Sequence, residues 1–523
     1  MRKLVRWWVI VPVLGACCVV VWALVIRNFE PKVQHLAQER VERYFRTHFH
    51  STVEISGLHV SSVLSHVHIA ISGVVLRQEG AAPSAAPMME LKQVMFDART
   101  LNLFSHRPVI GAVHIDGFRI RIAPRPKGSP PLIGSSEDNL ADRYPVVIKN
   151  VYVKNADLIL LPRDPAKSPH GFELHSLEMG PLGFGKPAEF RANLTNPVPT
   201  GEIVSAGEFG PWNAEDPGAT PVSGQYTFKD ANLGTLKGLQ GTLSSTGTFN
   251  GPLNFLSVNG ETDTPDFSLR ATNHPTDLRT RFSAIVDGTN GNTMLKEVVA
   301  RFGHSTLQVK GEVVDRTPNH GRTIVLNATT KGATVQDLLR LAVDSSRPMM
   351  TGAALLHANI DIGEGKSDLM DRMRLSGRFE IAGARFAAPE TQQKIESLSL
   401  KAQGKPNEAP VGDPATDFSG TLEVGDGLVR LSQLRFDVTG AAVALEGTYN
   451  LDSGVLDLRG KLRMQAKLSQ TTTGVKSFFL KAVDPFFAGK GAGTVLPIKI
   501  TGTKDDPAFA LDFHDNRNDA EDH

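Results

Sequence analysis

The chain has 523 residues with 56 Lys+Arg against 55 Asp+Glu, a balance that leaves no electrostatic footprint for nucleic acid and a length beyond what one hydrophobic core organises, so several domains or one elongated body are expected. Both cysteines, Cys17 and Cys18, stand in one apolar run, which excludes a disulfide, a thiolate nucleophile or a cysteine metal site from the rest of the chain. The 48 Gly and 32 Pro are spread as a turn-rich β protein requires, and 26 Phe against 5 Tyr and 4 Trp point to much apolar surface without polar tips.

Arg2, Lys3 and Arg6 in residues 1–6 precede an uncharged stretch, Trp7 to Ile26, of 20 residues. That is the length needed to cross a bilayer core, and the flanking cations put the N-terminus on the cytoplasmic side. Trp7 and Trp8 mark one interface and Trp22 approaches the other. The expectation is a retained single-pass anchor. Two alternatives stand beside it. A cleaved signal peptide has a shorter apolar region and a small-residue cleavage site; Leu14 to Cys17, "LGAC", resembles a lipoprotein box, although "CVVVWALVI" follows it. Residues 27–50 then predict a helix, with Pro31 in its first turn and Val33, Leu36, Ala37, Val41, Tyr44, Phe45 and Phe49 at helical spacing. Such a helix either lies on a membrane or in a groove, or packs on the first strands.

From Ser51 the period changes to two. "VHIAISGVVLR", "VHIDGFRIRI", "VYVKNADLILL" and "FEIAGARF" share a degenerate pattern, alternation around a small or kinked centre at Gly73, Gly117, Asn155-Ala156 and Gly383. A glycine inside a strand pattern marks a bulge or bend. "TNGN" at Thr289 to Asn292 is a short-hairpin signal. Only two more helices are expected. "ATVQDLLRLAV" has Thr334 placed to cap through Asp337, and "TTGVKSFFLKAVDPFF" ends before Pro485. The stretches 123–145, 196–221 and 405–416 read as Pro-rich loops, and 514–523 as a frayed tail.

The fold class expected is mainly β: one N-terminal transmembrane helix, then a long, curled antiparallel sheet forming a groove, with a few short helices. Residues 51–345 make an N-terminal and central β-groove region and 346–513 a C-terminal β region. The clearest alternation is at Asp426 to Leu451, where Leu434, Phe436 and Val438 alternate with Arg435, Asp437 and Thr439, and Val443, Leu445 and Tyr449 with Ala444, Glu446 and Thr448. A sheet with one oily face must close, pack on a second sheet or curl. Periodicity alone leaves a filled sandwich and an open trough equally possible.

Chemistry is sparse. His66 and His68 share a strand face without a third ligand nearby. His170, Glu173 and His175 lack the helical spacing of a zinc protease. "GKGAG" at 489–493 lies between a helix and a strand, the reverse of a phosphate-loop order. Arg119 and Arg121 alternate with Ile120 and Ile122 as on a solvated face. No Gly-x-Ser-x-Gly elbow occurs. No catalytic residue, metal ligand or cofactor is assigned, and no enzyme activity is expected.

The segments "GTLEVGDGLVRLSQLRFDVTGAAVALEGTYNLDSGVLDLRGKLRM" (420–464) and "GKGAGTVLPIKITGTKDDPAFALDF" (489–513), with "VEISGLHV" and "LNLFSHRPVIGAVHIDGFRIRI" on the N-terminal side, resemble the AsmA-like proteins of bacterial envelopes. The resemblance implies a bridge-like lipid transfer protein. It would be held in the bacterial inner membrane by a single pass, with its body in the periplasm, and carry phospholipid toward the outer membrane through an apolar trough. Leu434, Phe436, Val438, Val443, Leu445, Tyr449, Leu456, Leu458, Leu462, Ile498 and Ile500 would line one wall. The chain is short for that family, which implies envelope or outer-membrane protein partners. The alternative is a non-catalytic scaffold for outer-membrane protein assembly, working through exposed sheet edges.

Overall fold

The structure, a computed structural model, describes residues 51–512 apart from 64–65, 79–85, 100–108, 123–146, 161–169, 183–185, 212, 214–216, 289–290, 317–320, 344–347, 366, 409–415, 468–470, 472–493 and 504–505. The expected anchor with Trp7, Trp8 and Trp22, the 27–50 helix, the 123–145 loop, the helix before Pro485, "GKGAG" and the tail lie outside the described residues. Among the described residues no helix is long and apolar enough to cross a membrane.

The fold is mainly β. Helix is confined, among the described residues, to α1 (Val335–Ala342), the single turn α2 (Leu369–Arg372), α3 (Pro389–Ala402) and two short 3-10 turns. The chain forms two compact units. The first holds the described residues up to Thr235 with Leu243–Thr262 and Ser283–Thr293; the second holds Leu236–Thr242, Asp263–Phe282 and the described residues from Met294.

In the first unit β1 (Ser51–Val63), β2 (His66–Gln78), β3 (Met89–Arg99), β4 (Val109–Ile122), β5 (Val147–Leu160), β6 (His170–Gly180), β7 (Ala188–Pro197), β8 (Thr200–Phe209) and β9 (Pro221–Asn232) follow one another. Neighbours pair antiparallel, with one exception: β4 and β5 run parallel, Val109 opposite Val147 and Ile122 opposite Leu160. The wholly antiparallel sheet expected from the sequence is corrected here. A parallel pair needs a long crossover, and residues 123–146, outside the described residues, join the two strands in sequence.

The kinked centres fall where the alternation slips by one residue. In β2, Ile69 and Ile71 are buried, then Val74 and Leu76; in β4, Val113 and Ile115, then Phe118; in β5, Val151 and Val153, then Ala156. A one-residue slip would turn the second half of each strand inside out. An extra residue with positive φ absorbs it: Gly73 (φ 61), Gly117 (φ 66) and Asn155 (φ 54). The register accordingly skips Ser56 and Gly73 between β1 and β2, and Lys92 and Gly117 between β3 and β4. The register is the same on both sides of each kink, so neighbouring strands slip together and one apolar face stays continuous across β1–β6. Gly117→Ala places a Cβ 2.6 Å from the Lys92 Cβ at a φ that side chains rarely adopt. We expect it to cost about 1–3 kcal/mol in urea unfolding.

The stretch 196–221, expected as a loop, contains β8, which pairs with both β7 and β9. Pro197, Pro199, Pro211 and Gly210 at its flanks carry the turn signals, while "TGEIVSAGEF" between them is strand. β11 (Thr242–Pro252) also lies in this unit, and β12 (Leu256–Leu269) and β13 (Thr276–Val286) contribute to both units. The "TNGN" signal sits between β13 and β14 (Thr293–Phe302), where Asp287 N donates to Asn292 O at 2.8 Å; Thr289 and Asn290 are outside the described residues.

In the second unit β10 (Leu239–Gln240) pairs with β12. β15 (Ser305–Val314), β16 (Thr323–Thr330), β18 (Met350–Ile362), β19 (Met373–Phe386), β20 (Thr416–Gly425), β21 (Leu428–Val438), β22 (Ala441–Asn450), β23 (Val455–Met464), β24 (Thr494–Thr503) and β25 (Pro507–Leu511) pair antiparallel in that order. The short β17 (Ala333–Thr334) adds to β18. Gly383 (φ 62) stands at a register shift, a bulge between β19 and β20.

α1 forms as expected, but not through its expected cap: Thr334 makes no side-chain cap bond. Asp337 instead accepts from His304 N at 2.7 Å and Ser305 Oγ at 2.8 Å, a tertiary tie that outcompetes the local one. α3 was not expected. Its signals are weak but present: Pro389 at the first turn, Glu390 and Lys401 at the favourable ends, and Ile395, Leu398 and Ala402 at helical spacing.

Candidate functional site

The eleven residues expected to line a groove share one face of β21–β24. Leu434 lies opposite Leu445 and Phe436 opposite Val443. Val443 faces Leu462 and Tyr449 faces Leu456. Leu458 faces Ile500, and Ile498 stands opposite Gly460. Alternation puts them there: within each strand they stand two residues apart, or four where Gly447 or Gly460 takes the position between.

Their burial is not uniform. Leu434, Phe436, Val438, Val443, Leu445, Leu458 and Leu462 are buried, whereas Tyr449, Leu456, Ile498 and Ile500 are half-buried. The cause is α3, which packs on β19 and β22 and buries Ile395, Ser399 and Ala402. Ser399 Oγ donates to Thr439 O at 2.8 Å, Gln403 Nε2 reaches the same carbonyl at 3.4 Å, and Ala466 N donates to Ala402 O at 2.9 Å. Helix and turn are thus pinned at the end of the strands that holds Val438, Ala441 and Met464. A row of rings, Phe386, Phe418 and Phe436, with centroids 5.8 and 4.8 Å apart, fills the space beside it. Ser399→Ala leaves the Thr439 carbonyl only the longer bond from Gln403 and should lower stability by about 1 kcal/mol, read by thermal unfolding.

Away from α3 the same face stays half-open. Following the register, Leu326 on β16 lies opposite Ile360, Ile360 opposite Leu375, Leu375 opposite Val424, Val424 opposite Val429, Val429 opposite Tyr449, and Tyr449 opposite Leu456. All seven are half-buried. At about 4.8 Å per strand they make an apolar rail roughly 29 Å long. Nothing in the sequence distinguished these positions from buried ones; only Tyr449 and Leu456 were singled out. At the edge strand, Phe509 and Leu511, opposite Ile500 and Ile498, are 50% and 43% exposed. Lys394 of α3 holds its Nζ 5.4 Å from the Phe509 ring centroid.

The face of β1–β6 in the first unit differs. Ile69, Val94 and Val113 there are 1–2% exposed, and the cluster around them is a closed core. That face is therefore filled, and the half-open one belongs to the second unit.

The polar residues weighed from the sequence are engaged with one another. His68 Nδ1 meets Asp97 Oδ1 across β2 and β3. His175 Nε2 is 2.8 Å from Thr195 Oγ1, and Glu173 is exposed. The side chains of His66 and His170 lie outside what is described. Arg119 binds Asp157 at 2.9 Å and approaches Glu90 at 3.6 Å, while Arg121 binds Glu90 at 2.6 Å. Among the described residues no three His, Cys, Asp or Glu side chains gather as a metal site would need. Burial raises the Tyr226 phenol above its ordinary pKa, opposed by a hydrogen bond with Ser245, but its ring lies over Gly247 as packing. No protein-family model, curated protein or solved structure matches this chain.

Proposed function

We propose that this protein carries phospholipid between the inner and outer membranes of a bacterial envelope, held by an inner-membrane anchor at Trp7–Ile26, with acyl chains lying along the half-open face of the second unit. The observation that carries this reading is the rail from Leu326 to Leu456. Seven adjacent strands each leave one apolar side chain half-uncovered in line. A face completed by polypeptide would bury such a row, as β1–β6 do. Each methylene moved from water onto such a surface gains about 0.8 kcal/mol, with no need for a specific contact. Because successive positions are chemically alike, a lipid shifting by one strand exchanges one hydrocarbon surface for another, and its head group remains in water. No bond is made or broken, and direction comes from partners or a gradient. A second reading, a scaffold engaging a partner strand, is favoured by β25, which pairs with β24 through five residues and leaves Phe509 and Leu511 exposed.

The full-length protein, held in peptide discs after gentle extraction, should release diacyl lipid in native mass spectrometry. A photoreactive group at Tyr449 should crosslink to a lipid acyl chain, and one at the outward Thr448 should not. A lipid-free protein that ignores added fluorescent phospholipid would overturn the carrier reading.

A further inference from the structure

The outward side of β21–β24 carries a cation cluster that the apolar face does not use. β23 presents Arg459, Lys461 and Arg463 outward. Lys499 lies directly opposite Arg459. Arg435 is opposite Ala444, which is opposite Lys461. Arg463 is opposite Ala442, with Asp437 beyond it. Of the nearby acids, Glu446 lies opposite Arg459 and Asp457 Oδ1 is 3.5 Å from its Nε, while Asp437 stands two residues from Arg435 on the same strand. Arg435, Lys461, Arg463 and Lys499 form no ion pair within 4.0 Å among the described residues. Opposed like charges such as Arg459 and Lys499 destabilise a sheet unless an anion shares them. In a chain of net charge +1 this is a local concentration.

From this cluster we infer that the outward face of β21–β24 docks on an anionic phospholipid bilayer. The cations stand on three strands, β21, β23 and β24, with Arg435 and Lys461 about 10 Å apart and Lys461 and Arg463 about 7 Å apart. Between them stand Ala442 and Ala444, both exposed, and opposite Arg463 and Lys461 stand Val495 and Pro497, both half-buried. Among the described residues no aromatic, Leu, Ile or Met side chain stands between these cations as the anchor a protein partner would need. Short side chains between unpaired cations leave each free to meet a mobile head-group phosphate. The surface is separate from the lipid-carrying face, on the opposite side of the same strands.

The test uses the full-length protein in peptide discs, co-sedimented with phosphatidylcholine vesicles with or without phosphatidylglycerol. Binding should require phosphatidylglycerol and fall steeply with salt. Reversing the four cations (R435E, K461E, R463E, K499E) should weaken it by at least about a hundredfold, at roughly fivefold per cation. The milder K461Q/R463Q pair should lose binding in part, which keeps the test valid if the fourfold variant unfolds. K461R should bind as the parent does. Equal binding to neutral vesicles, indifference to the substitutions, or binding of polyglutamate without binding of vesicles would overturn the inference. Bound lipid measured on K461Q/R463Q reports carriage separately, so failure of docking and failure of carriage are distinguishable.

Discussion

Leu456→Glu should abolish phospholipid carriage while leaving the fold in place. Leu456 is half-buried, pairs with Tyr449 in the rail and lies at the end of β23 away from α3. The carboxylate can reach water and only part of the Leu456 surface is covered, so the loss of stability should be about 1 kcal/mol. An acyl chain crossing the same point would have to desolvate a carboxylate, which should reduce bound lipid by on the order of tenfold or more. The matched control is Thr448→Glu on the outward face, which should leave bound lipid unchanged. Native mass spectrometry gives the lipid content and thermal unfolding the stability. Equal lipid content in both variants would remove the rail from the mechanism.

Gly460→Ala should unfold the second unit. A Cβ at Gly460 would stand 1.9 Å from the Ala444 carbonyl oxygen, and one at Gly447 2.0 Å from the Asp457 carbonyl oxygen. These obstacles are neighbouring backbone, so no rotamer relieves them. The strands must separate where Leu445 and Ile498 flank Gly460. We expect a loss of about 3 kcal/mol or more, with a lowered urea midpoint and loss of β circular dichroism. Ala444→Gly, which removes a methyl from the exposed side, should be mild by comparison. A Gly460→Ala variant as stable as the parent would show that the strand spacing yields readily here.

Much of this architecture is legible in the sequence because side chains alternate with period two, and a glycine or asparagine in the wrong phase betrays a kink. Gly73, Gly117, Asn155 and Gly383 are found that way. The common face of Leu434, Phe436, Val443 and Leu462 follows from alternation alone. What covers a face does not: Val113 and Leu456 obey the same pattern, yet one is sealed and the other half-open. Period reports the side of a strand and carries no information about the far wall. α3 escapes notice because its apolar positions are few and Ser399, buried, reads as polar. β8 escapes because prolines at both flanks dominate its local signal. Strand direction is likewise invisible, since a parallel and an antiparallel neighbour ask the same alternation of β5.

The parallel pairing of β4 with β5 fixes what can be done to the segment between them. Val147 pairs beside Val109, not beside Ile122, so the chain must travel back past the whole of β4, about 43 Å at 3.3 Å per residue. Even fully stretched, roughly 13 residues are required. The segment 123–146 can therefore be trimmed by nearly half, or enlarged with an inserted domain, but it cannot be condensed to a hairpin turn. Doing so would force β5 to reverse and exchange the two faces and two ends of everything that follows it in the first unit.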